Sequence, residues 1–266
     1  MSVRLGELSP QRLLISLKNY TQMANQSLKT SPQTIARIGG LLYLIIIVTG
    51  IFGELFVRSK LIVSGDPATT ANNIMASQLS WRISIAGDMI MHICDVPLML
   101  IFYILLRPVN RNLALLAVLL NLVQTAVLVA NELNLLTPLF LSGGADYLNS
   151  LEPHQLHALA YLSLKTFDHG FAVGLIFFGL CCLVNGYLIF KSGYLPRAIG
   201  VLMQIAGLCY LTNSFALILS PTIAHALFPV ILLPPFIGEF SLCLWLLLKG
   251  VNISKWNSQT RAGQSS

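Results

Sequence analysis

Six apolar runs dominate this chain, at Ile38 to Val57, Ile83 to Leu106, Leu113 to Leu136, Phe171 to Phe190, Ala198 to Leu219 and Ala226 to Leu248. A hydrocarbon core about 30 Å thick is crossed by about 20 helical residues, and each run reaches that length. In lipid every backbone amide and carbonyl must be satisfied within the protein, so a spanning run is either a helix or one strand of a closed barrel. Barrel strands alternate apolar and polar residues, and none of these runs does. The expected fold class is therefore all-α: a polytopic integral membrane bundle of about six transmembrane helices. Composition agrees, because 10% of residues are charged, where soluble chains carry about a quarter.

Positive residues beside the spans set the orientation, since they are retained on the cytoplasmic side. One side carries Arg4, Arg12, Lys18, Lys29, Arg37, Arg107, Arg111, Lys191, Arg197, Lys249, Lys255 and Arg261, and the other only Arg58, Lys60, Arg82 and Lys165. Both termini are expected in the cytoplasm of a cell with the protein in its inner membrane. The basic residues are scattered over helix ends, which argues against a nucleic-acid partner; the expected partner is the lipid bilayer, with a protein or a small ion also open. The five cysteines lie inside apolar runs and form no CxxC pair, so neither disulfides nor a thiolate metal site is expected.

Three regions follow: a polar, basic leader over 1–34 read as disordered, a transmembrane domain over 35–251, and a cytoplasmic tail over 252–266. The leader lacks the apolar core of a cleaved signal peptide, so the first span is read as a retained anchor. Asp66 and Pro67 form an N-cap and first-turn pair ahead of a short outer-surface helix. A second outer helix begins near Pro153, after a turn marked by Ser142, Gly143, Gly144 and Ala145. Trp81, Trp245 and Trp256 are read as interfacial belt residues.

The stretches ARIGGLLYLIIIVTGIF from Ala36, SKLIVSGDPATTANNIMAS from Ser59, RPVNRNLALL from Arg107, KSGYLPRAIGVL from Lys191 and IGEFSLCLWLLLKGV from Ile237 carry a resemblance. In order and spacing the chain resembles the bacterial membrane protein family catalogued as domain of unknown function 4386, from about residue 35 to residue 251. The resemblance implies a polytopic membrane protein without an assigned activity, and it transfers no catalytic residue or cofactor. It extends to Asp88, His169 and Glu239, where the family carries the same residue types, and not to Glu54, His92 or Glu132.

Ionisable groups within the spans are the strongest functional signal, because a charge at the bilayer centre costs at least about 2.5 to 3.5 kcal/mol. At about 1.5 Å per residue, Glu54, Asp88 and Glu132 lie near the outer boundary, with Asp168 and His169 at it. His92, Asp95 and Glu239 lie deeper. Asp88, His92 and Asp95 are spaced i, i+4, i+7 and share one face of the second helix. Pro97, and Pro229, Pro234 and Pro235 ahead of Glu239, interrupt hydrogen-bond ladders and free carbonyls.

These eight residues admit an outward-opening acidic cavity for a proton or cation, or a metal site of His and carboxylate ligands; the metal and any cofactor stay unassigned. The plainer alternative is that Glu54, Glu132 and Asp168 reach interfacial water and His92 is a packed histidine. No nucleotide loop, nucleophile elbow or HExxH pattern is present, and the balance leans away from an enzyme. Three functions remain: a non-catalytic membrane partner or scaffold, a small proton- or cation-linked permease, and a metal-dependent intramembrane enzyme.

Overall fold

A computed structural model describes residues 31–262, and among these there is no strand. Six helices are long and apolar enough to cross a membrane: Pro32–Leu61, Gln78–Leu106, Arg111–Leu141, Pro153–Ser192, Arg197–Leu219 and Val230–Leu248. Most of the reading of 1–34 as a disordered leader falls outside the described residues. Its last residues are ordered, because Ser31 caps the first helix by accepting a hydrogen bond from the Thr34 amide at 3.1 Å and Pro32 supplies its first turn.

Each spanning helix packs against its neighbour in sequence, and the sixth returns to pack on the first. The result is a closed ring of six helices. Two glycine pairs bring the fourth and fifth spans together. A Cβ on Gly200 would meet the Gly186 carbonyl oxygen at 2.7 Å, and one on Gly207 would meet that of Gly179 at 2.5 Å, so the backbones are already in contact.

Several elements differ from the lengths that hydropathy suggests. The fourth helix runs unbroken for 40 residues, about 60 Å at 1.5 Å per residue, so the segment from Pro153 is the projecting first half of the span rather than a separate helix. Glu152 and Gln155 form a capping box at its start, and Gly193, at φ 70°, ends it. The first helix changes at Phe52 to a π-helical segment through Arg58. The third breaks at Glu132 and resumes as Leu133–Leu141. Between the first two spans, Asp66 accepts from the Thr69 amide at 2.9 Å and opens the short helix Pro67–Ala76.

The bundle has two ends of different character. At the end carrying the first residues of span one and the last of span six, Leu105, Leu106, Leu188, Ile189, Leu242 and Leu246 form a dry plug with 1% exposure or less. At the far end a smaller apolar group surrounds Trp81. Trp81 is 0% exposed and donates its indole N–H to the Leu135 carbonyl at 2.8 Å. It is thus a core residue, not a member of an interfacial belt, because the short helix Pro67–Ala76 and the segment after Glu132 roof it over. Trp245 and Trp256 do sit at the bundle end, their indoles donating to Gly250 and Leu105 carbonyls.

Candidate functional site

The interior face of the second span carries Asp88, His92 and Asp95, all buried. Each meets a partner from a different direction. Asp88 accepts from Arg58 Nη1 at 2.5 Å through Oδ2. His92 Nε2 lies 3.5 Å from Glu132 Oε1. Asp95 Oδ2 accepts from the Asn121 amide at 2.8 Å and the Thr125 hydroxyl at 2.5 Å.

Arg58 anchors the far end of this file. Its guanidinium also donates to Glu54 Oε2 at 2.9 Å and lies 5.5 Å from the centre of the Phe167 ring. A π-helical turn shifts which side chains share a face, and here it leaves Arg58 inside the ring and Glu54 exposed. Gly53 makes the approach possible, since a Cβ there would come within 3.0 Å of both Asp88 Oδ1 and Arg58 Nη2. A shallow cleft of about 200 Å³, lined by Glu54, Arg58, Phe167 and Asp168, leads from the surface to this pair.

Near the midplane the sixth span contributes Glu239, whose two oxygens accept hydrogen bonds from two phenols. Tyr43 of the first span donates to Oε2 at 3.0 Å and Tyr210 of the fifth to Oε1 at 2.5 Å. Glu239 begins about ten residues from the end of its helix and Tyr43 about ten from the start of its own, which places both about 15 Å into the core. Below them lies the apolar plug.

The eight residues singled out in the sequence therefore divide. Asp88, His92, Asp95 and Glu132 line one buried file between the second and third spans, while Glu239 forms a separate group with Tyr43 and Tyr210. Glu54 stands at the mouth of the file. Asp168 and His169 stay exposed on the fourth helix: Asp168 pairs with Lys165 at 3.2 Å, and His169 Nδ1 lies 2.9 Å from the Lys165 carbonyl. Neither reaches His92 or Glu132. Among the described residues no three His, Cys, Asp or Glu side chains converge as metal ligands.

Within the file several buried polar atoms make no hydrogen bond, among them Asp88 Oδ1, His92 Nε2, for which Glu132 is a charge neighbour only, and Glu132 Oε2, together with the side-chain oxygens of Asn121 and Gln124. Such atoms are rare in folded proteins, and each calls for an explanation in strain, chemistry or an ordered water or ion. The residues that sequence reasoning missed are the neutral and basic partners. Arg58 registered only as a boundary charge, although Glu54 stands four residues before it. Tyr43 and Tyr210 are mid-span phenols whose O–H needs an acceptor. Asn121 and Thr125 are an i, i+4 polar pair within an apolar run.

The family described as domain of unknown function 4386 matches residues 38–250. The chain belongs to that family. It is 30% identical over 174 residues to an uncharacterized protein of Archaeoglobus fulgidus (strain ATCC 49558 / DSM 4304 / JCM 9628 / NBRC 100126 / VC-16), covering 65% of this chain and 86% of the relative. No solved structure matches. Neither the family description nor the relative carries an activity, so the activity has to be argued from the site.

Proposed function

We propose that the protein is a small proton-linked permease whose exchange site is the file Arg58, Asp88, His92 and Glu132, with Asp95 and the separate Glu239 group nearer the midplane. The observation that supports this most is a charge imbalance. Four intramembrane carboxylates, those of Asp88, Asp95, Glu132 and Glu239, share one buried permanent cation, Arg58, among the described residues. Uncompensated charges at this depth are expensive, so a file with this imbalance is suited to taking up a proton or a small cation. A non-catalytic scaffold gains nothing from such an arrangement, because apolar side chains of the same shape would be more stable.

The asymmetry of the interior supports the same reading. A polar file that begins at a cleft and stops on a dry plug suits a carrier open to one side at a time. We place both termini in the cytoplasm of the cell membrane, so that the file opens outward; the exposed basic residues at the terminal-bearing end favour this sense. The metal-dependent enzyme is less supported, since among the described residues no three ligand-type side chains converge. A proton needs only the acceptors already present.

Proteoliposomes carrying the full chain, a pH-sensitive dye and an imposed pH gradient test the proposal against a panel of small amines, amino acids and sugars. At least one solute is expected to collapse the gradient through the native chain, and Glu132→Gln and Asp88→Asn each to abolish that response. Native and variant proteins that leave every gradient intact, and whose carboxylic C=O infrared bands respond identically to pH, would overturn it.

A further inference from the structure

At the terminal-bearing end the chain is tied together by its own backbone. The carbonyl of Leu105, in the last turn of the second span, has no helical partner and instead accepts from the Tyr194 hydroxyl at 2.5 Å and the Trp256 indole at 3.2 Å. Gln33 bridges the Lys249 carbonyl at 2.7 Å and the Val251 amide at 3.1 Å. The Asn252 amide donates to the Tyr194 carbonyl at 3.2 Å. These bonds join the turn after the second span, the turn after the fourth and the chain that follows the sixth, and they seat the helix Ile253–Ala262 across the bundle end.

Three of the cations on this surface are stacked on aromatic rings. Arg107 lies over the Tyr103 ring and Lys191 over the Tyr187 ring, both at 5.9 Å, and Arg197 over Phe190 at 5.7 Å. Lys249, Lys255 and Arg261 stand exposed beside them. Among the described residues no Asp or Glu lies at this end.

We infer that this end is a binding surface for the phosphate headgroups of anionic phospholipids. The aromatic partners Tyr103, Tyr187 and Phe190 belong to the last turns of spanning helices, so the cations stacked on them stand where the spans leave the hydrocarbon. A ligand reaching all of them must lie at the membrane surface. Trp256 anchors helix Ile253–Ala262 to the bundle and leaves Lys255 and Arg261 exposed beside the span ends, where basic residues are drawn to anionic headgroups. Nucleic acid or an acidic protein would meet the charge but not the apolar level at which it is held.

The test uses the purified full chain in nanodiscs of pure phosphatidylcholine or of phosphatidylcholine with phosphatidylglycerol, read by thermal melting and by lipid retained in native mass spectrometry. Phosphatidylglycerol is expected to be retained and to raise the melting temperature, with the effect falling as salt rises. Neutralising Lys191, Arg197, Lys255 and Arg261 to Gln is expected to weaken retention about fivefold for each cation removed. Lys60→Gln, at the far end, should leave it unchanged and controls for net charge. Equal retention of the two lipids, undiminished retention by the fourfold variant, or equal competition by inorganic phosphate at matched concentration would overturn the inference.

Discussion

The Arg58 and Asp88 pair decides how a charged group can be tolerated inside this bundle. Both side chains are almost fully buried, so their attraction offsets a large desolvation cost, and removing one partner leaves the other stranded. Arg58→Leu is expected to cost about 3 to 5 kcal/mol, measured as loss of thermal stability in mild detergent. Arg58→Leu combined with Asp88→Leu should recover most of it, since the orphan charge is gone; a double variant as unstable as the single one would show that the pair is not the energetic unit. Asp88 was legible in the sequence because an acid inside an apolar run stands out. Arg58 was not, because a basic residue at a span's end is what topology requires, and only the π-helical turn and the missing Cβ of Gly53 bring it inward.

At the level of elements, the same residue type has opposite roles depending on what faces it. Gly200 sits backbone to backbone against the fourth span, where an added Cβ would meet Gly186 and Phe190 main-chain atoms under 3 Å away. Gly87 has nothing nearer than a Thr49 carbon at 4.0 Å. Gly200→Ala is expected to lower thermal stability by about 1 to 3 kcal/mol through overpacking, whereas Gly87→Ala should be neutral or raise it by about 0.5 to 1 kcal/mol by stiffening the helix. Matching effects at the two sites would sink this account of the fourth and fifth spans. The short helix Pro67–Ala76 depends instead on its cap. The Thr69 hydroxyl, then its amide, hold the Asp66 carboxyl below the usual range. A depressed value means the cap contributes above the unfolded pKa and is lost as pH falls through the folded one. Amide protection factors at Thr69 and Thr70, taken relative to intrinsic exchange, should therefore fall only in acid below the ordinary carboxylate range, and Asp66→Ala should lower them at every pH above that range. This helix could be read from the sequence through its Asp-Pro start. The unbroken fourth helix could not, because Lys165, Asp168 and His169 interrupt hydropathy without interrupting a hydrogen-bond ladder.

For the whole molecule, the count of spans rests on apolar length, which is visible in the sequence, whereas their closure into a ring shows only in the packing of the sixth span on the first. What periodicity could not supply is which of several inward-facing polar residues share a partner, since that depends on the rotation of each helix about its axis. Asp168 and His169 show this: both stay exposed on the fourth helix, Asp168 at the rim of the cleft and neither within the buried file. The same ring makes one global property testable. If positive residues are retained in the cytoplasm, the terminal-bearing end faces inward and the cleft beside Glu54 faces out. With the five native cysteines replaced, a cysteine at the exposed far-end position Asn72 should react with a membrane-impermeant maleimide in intact cells. One at Ser254, exposed on the helix after the sixth span, should react only after the membrane is opened. The reverse pattern would turn the polar file toward the cytoplasm.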